Sequence, residues 1–197
     1  ERNGWLQDRY GLSWQLMVAG GREISQKIVP TLMFVGKVCG KAEEAIRFYV
    51  SLFRDAKVGN ILRYGPNEAP DKAGTVKHAS FTLQGQDFAA MDSAHGHAFA
   101  FNEAISFMVF CDTQRDIDDY WEKLSAVPAA EQCGWLKDKY GLSWQVTPAA
   151  MHKMLQTADA EQMARVTKAF LPMKKFDLAE LQRAYEGRET RQPVSRG

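Results

Sequence analysis

The chain has 197 residues, 45% of them hydrophobic and 25% charged, an ordinary balance for a soluble globular protein of one large domain or one domain with appendages. Twenty-five Lys and Arg against 24 Asp and Glu leave a formal net charge of +1, which excludes the basic footprint of a phosphate-backbone binder. No apolar run approaches the roughly 18 residues that span a bilayer, and no basic segment with an apolar signal core opens the chain, so it reads as cytoplasmic, with neither nucleic acid nor membrane as a partner.

The first 15 residues, Glu1 to Gln15 (ERNGWLQDRYGLSWQ), recur 130 positions later as Glu131 to Gln145 (EQCGWLKDKYGLSWQ). Each copy reads as a β-hairpin. In the second, Trp135 and Leu136 lead into a polar turn, Lys137 to Gly141, and Leu142 to Thr147 then alternates apolar and polar. Leu142, Trp144 and Val146 fall on one face, Ser143, Gln145 and Thr147 on the other. Residues 1–20 are most simply the last hairpin of an upstream repeat, consistent with a first residue, Glu1, that is no initiator. A local duplication without an upstream domain is the alternative. Two exposed tryptophans predict that the hairpin packs on this domain or on a partner.

After a linker at 21–26, Lys27 to Val35 alternates as a strand. Ala42, Ala45, Ile46, Tyr49, Val50 and Phe53 then recur at helical spacing. Val58 to Tyr64, Val76 to Leu83 and Asp87 to Met91 read as strands, with Gly85 in a hairpin turn. The plan is β-α-β-β-β. It begins again with a strand at Ala104 to Cys111 and a helix that Thr113 and Asp116 open as a capping box and that buries Ile117, Tyr120, Trp121 and Leu124. The terminal hairpin closes this domain, 27–148.

The tail differs in character. Ala149 to Gln156 and Ala160 to Leu171 are helical by composition and period, and Asp177 with Glu180 opens a further helix carrying Leu178, Leu181 and Tyr185. That helical tail spans 149–187. Residues 188–197 are polar and aperiodic and read as disordered. Cys39, Cys111 and Cys133 are far apart, with no C-x-x-C pair, and read as reduced packing residues.

Several of these segments resemble a known family. Ala42-Glu43-Glu44-Ala45 with Phe48-Tyr49 and Leu52-Phe53, the run Phe101 to Phe107, Tyr120 to Leu124, and Cys133 to Gln145 are similar to the PhnB-like family of the vicinal-oxygen-chelate (glyoxalase/bleomycin-resistance) superfamily. The resemblance covers about Lys27 to Gly187. It implies an α+β fold of paired β-α-β-β-β modules, a dimer or tandem pseudo-dimer, and a largely unassigned activity. The family is sometimes labelled 3-demethylubiquinone methyltransferase, yet no glycine-rich loop of the kind that cradles a methyl-donor cofactor follows a buried parallel strand.

Metal-dependent members of the superfamily hold a divalent ion with His and Glu from strands of both halves. The matching positions here fall on Pro30, on Ala104 beside Glu103, and on Gln145. An amide is a poor replacement for a carboxylate, so the resemblance implies a cleft with no metal and no cofactor, Glu103 being the one carboxylate able to rescue a site. By register the cleft is expected to carry Leu32, Phe34, Ser106, Met108, Ser143 and Gln145 beside Glu103, an apolar face with a few hydroxyl and amide groups. Among the histidines, His95 and His97 read as a solvated loop pair, with a weak metal site or a general base as the alternative, and His78 as a packed or edge residue. The expected function is binding of a small apolar or aromatic molecule. A metal-dependent lyase, isomerase or dioxygenase and a pure interaction module are the alternatives.

Overall fold

A computed structural model describes residues 3–21 and 23–188. The expectation of disorder over 188–197 lies, Arg188 apart, outside the described residues.

Residues 3–17 hold an isolated hairpin, β1 (Asn3–Gln7) and β2 (Ser13–Met17). The first module follows: β3 (Thr31–Val35), α1 (Ala42–Leu52), β4 (Lys57–Arg63), β5 (Val76–Leu83) and β6 (Gln86–Ser93). Its sheet has the order β3-β6-β5-β4, with β3 and β6 parallel. β3 is shorter than the alternation suggests because Pro30 has no amide hydrogen to donate; its carbonyl still accepts from the Ala89 amide at 2.9 Å.

The second module holds β7 (Ser106–Cys111), α2 (Gln114–Leu124), β8 (Trp135–Lys137) and β9 (Ser143–Pro148), in the order β7-β9-β8. The expected capping box is present: Thr113 Oγ1 accepts from the Asp116 amide and Asp116 Oδ2 accepts from the Thr113 amide. Only three strands form this sheet among the described residues. A single 3-10 turn at Pro128–Ala130 stands between α2 and β8, where the first module places an additional strand between helix and hairpin.

One core serves both modules. α1 lies on the first sheet and sends Tyr49 and Phe53 to Trp144 of β9, with ring centroids 5.4 and 5.7 Å apart; Phe53 also stacks on Tyr120 of α2 at 5.1 Å. Phe88 of β6 meets Phe107 of β7 edge to face at 5.2 Å. The helix-covered faces of the two sheets therefore look inward, and the outer face of each sheet is only partly covered, with Met108 and Phe110 exposed on the second.

The tail forms α3 (Ala149–Thr157), α4 (Ala160–Phe170) and α5 (Leu178–Glu186) around a small core of its own, with Met151, Met154, Val166 and Leu181 buried. Between α4 and α5 the chain docks on the start of β8: the Cys133 and Gly134 amides donate to the Met173 and Lys174 carbonyls at 2.8 and 2.7 Å. Gly134 has φ +81°, and a Cβ there would stand 2.4 Å from the Phe176 ring, so the close docking of the tail requires glycine.

Candidate functional site

β9 places Ser143, Gln145 and Thr147 on the side away from α2, because Trp144 and Val146 fill the core. Register then assembles the rest of that face. Ser106, Met108 and Phe110 of β7 stand beside Ser143, Gln145 and Thr147, and Trp135 and Lys137 of β8 pair with Gln145 and Ser143. Met108 and Phe110 are 47% and 57% exposed. The face is thus apolar at Met108, Phe110 and Trp135 and polar along its middle.

The Gln145 side-chain amide donates to Ser106 Oγ at 2.8 Å. Beside them Ser143 Oγ is buried with no hydrogen-bond partner, an orphan that costs on the order of 1–3 kcal/mol unless something bonds to it. At the rim Lys137 Nζ pairs with Glu103, and that contact holds the Glu103 carboxyl below its ordinary range.

Five of the expected cleft residues, Glu103, Ser106, Met108, Ser143 and Gln145, are brought together in this way. Leu32 and Phe34 are not. They lie on the opposite, helix-covered side of β3, buried in the shared core, where Phe34 contacts Phe101 and Tyr140 edge to face. The open side of β3 carries Thr31 and Met33 instead, paired with Ala89 and Met91 of β6. Every residue of Thr31–Val35 except Thr31 is apolar, so the alternation read over Lys27 to Val35 does not hold within the strand itself and could not fix its face. Phe110, Trp135 and Lys137 escaped the sequence reading, although setting Trp135 opposite Gln145 in hairpin register identifies two of them.

The histidines take other partners. His97 Nε2 lies 2.8 Å from Ser93 Oγ, and His95 Nε2 lies 3.5 Å from Asp71 Oδ2. His78 stands on the open side of β5, and His152 of α3 faces the Phe110 ring at 6.4 Å. A shallow depression of about 490 Å³ near Ser25, Lys57 and Asp87 lies at the turn joining β5 to β6 and shares no residue with this face.

The donor set does not suit the superfamily's divalent ion. Gln145 offers a neutral amide oxygen where a carboxylate is needed, Glu103 is neutralised by Lys137, and Pro30 offers no side-chain donor. Among the described residues no three His, Cys, Asp or Glu side chains converge.

A family model described as 3-demethylubiquinone-9 3-methyltransferase matches residues 26–147. The chain belongs to this family. A solved structure described as a putative 3-demethylubiquinone-9 3-methyltransferase, PhnB protein, from Bacillus cereus is 46% identical, with a TM-score of 0.54, over 63% of this chain and all of that one. Protein PA1353 from Pseudomonas aeruginosa is similar at 20% identity and a TM-score of 0.49, over 63% of this chain and 98% of that one. No curated protein matches. This PhnB-like chain has two modules, β-α-β-β-β and β-α-β-β, followed by a helical tail beyond the matched residues. No helix of its described residues is long and apolar enough to cross a membrane.

Proposed function

We propose that this PhnB-like chain binds a small apolar or aromatic molecule on the open face of the β7-β9-β8 sheet, without a metal ion. The observation that carries the reading is the pair of exposed apolar side chains, Met108 and Phe110, beside the Gln145–Ser106 pair. Apolar contact area with a few converging polar groups is the usual composition of a small-molecule site. Met108 and Trp135 supply the contact, while the free oxygen of the Gln145 amide orients a polar substituent.

Methyl transfer, the activity in the family's description, is disfavoured by local geometry. The amides of Gly40 and Ala42, at the start of the helix that follows the parallel strand β3, donate to Asp92 Oδ1 at 2.7 and 3.1 Å. A carboxylate of the chain thus occupies the position where a cofactor's anionic group would dock.

Isothermal titration with the aromatic probe 8-anilinonaphthalene-1-sulfonate tests the reading. Saturable binding near one equivalent is expected, weakened about tenfold by Met108→Ala, since roughly 1–2 kcal/mol of apolar contact is lost. Affinity unchanged in Met108→Ala and in Gln145→Ala would contradict it.

A further inference from the structure

The chain contains one hairpin twice, once buried and once bare. In the second copy Asp138 Oδ1 accepts from the Tyr140 and Leu142 amides at 2.9 and 3.0 Å, and Oδ2 accepts from Trp144 Nε1 at 2.9 Å. In the first copy Asp8 Oδ1 accepts from Tyr10 and Leu12 at 2.9 and 3.0 Å, and Oδ2 from Trp14 Nε1 at 3.0 Å. Gly11 and Gly141 turn both hairpins with φ +87° and +89°. The fold of the unit is therefore local, and its surroundings are what differ.

Leu136, Leu142 and Val146 are 1%, 3% and 0% exposed; their counterparts Leu6, Leu12 and Leu16 are 47%, 40% and 56% exposed. In the second copy a socket covers this face. Tyr49 of α1 donates to Asp138, Glu44 of α1 accepts from Tyr140 and Lys139, and Phe53 stacks on Trp144, while on the strand's outer side Ser106 of β7 accepts from Gln145. Each of these hairpin residues has an equivalent in the first copy: Asp8, Tyr10, Arg9, Trp14 and Gln15. Arg9 keeps the charge that meets Glu44, and Leu16 adds one methylene to Val146.

We propose that β1–β2 is an interaction element that fills this same socket in another copy of the unit. In an intact copy β8–β9 already occupies the socket, in its own chain as in any other, so β1–β2 enters by displacing the terminal hairpin of the second copy. The occupant is defined by chemistry: a helix offering a tyrosine hydroxyl to Asp8 and a carboxylate to Arg9 and Tyr10, flanked by a strand able to pair parallel to β2. The inference is independent of any ligand on the open sheet face.

Two 197-residue chains test it. The acceptor carries Asp138→Ala and Trp144→Ala, which loosen its own terminal hairpin, together with Asp8→Ala and Trp14→Ala, which disable its own β1–β2. The donor is the wild-type chain. On co-expression the pair is expected to sediment as a one-to-one complex, and the acceptor's melting temperature to rise with donor concentration. A donor carrying Asp8→Ala and Trp14→Ala is expected to give neither effect. If the acceptor is insoluble alone, recovery of soluble acceptor with the wild-type donor is the readout. Absence of both complex and recovery overturns the proposal, as does an equal effect from the disabled donor.

Discussion

The Tyr49 hydroxyl donates to Asp138 Oδ2 at 2.7 Å, tying the helix of the first module to the turn of the last hairpin, 89 residues away. Both groups are buried, and the same carboxylate holds the two amides and the indole that shape the turn. This bond turns a self-sufficient hairpin into part of a shared core.

Tyr49→Phe removes the hydroxyl and leaves the ring in place. A hydrogen bond to a charged acceptor is worth about 1.5–3 kcal/mol, so urea denaturation is expected to show a loss of that size with an unchanged slope. A loss below about 0.5 kcal/mol would mean that the contact does not join the modules.

The two aspartates are expected to titrate on opposite sides of the ordinary value of 3.8. Burial raises Asp138 above it, whereas the Trp14 indole bond, followed by backbone amides, lowers the less buried Asp8. For Asp138 the folded chain holds its proton more tightly, so its contribution to stability is present below the unfolded value and lost as pH rises through the folded one. The contribution of Asp8 is present above the unfolded value and lost as pH falls through its folded one. Carboxyl-carbon NMR titration reads both; equal midpoints would contradict the difference in burial. Docking of β1–β2 into a socket would move Asp8 upward.

Gly4 and Gly134 occupy equivalent positions and are expected to answer differently to alanine. Around Gly4 nothing lies within 4 Å of an added Cβ, whereas at Gly134 it meets Phe176 and the Val146 carbonyl in a left-handed backbone conformation. Gly134→Ala should cost at least about 2 kcal/mol and release the tail to limited proteolysis, while Gly4→Ala stays within about 0.5 kcal/mol. Equal effects would show that the tail does not dock on β8.

Metal binding provides a further check. Titration of zinc or nickel into the chain is expected to show no stoichiometric site. A one-to-one ion that disappears in Glu103→Ala would overturn the metal-free reading and favour the superfamily's metal-dependent chemistry.

Much of the fold was legible because local chemistry announced it. Thr113 with Asp116, Asp177 with Glu180 and the Gly85 turn mark boundaries that the structure keeps within a residue or two. Faces were legible where polar and apolar residues alternate, as from Ser143 to Thr147, and illegible in β3, where consecutive apolar residues suit either side. The docking of the tail on Cys133 and Gly134 was out of reach, since backbone amides paired with the carbonyls of residues 40 positions away leave no pattern in side chains. Likewise, nothing in the composition distinguishes the buried hairpin from the bare one; only the presence of α1 and β7 does.

The most direct test of the proposed site is a methyl NMR titration of methionine-labelled protein with 8-anilinonaphthalene-1-sulfonate. Met108 stands on the open face, whereas Met151 and Met154 are enclosed in the tail core. The Met108 methyl is expected to shift saturably while Met151 and Met154 remain fixed. A saturable shift that spares Met108, or no shift at any methionine, would contradict a binding site on the β7-β9-β8 face.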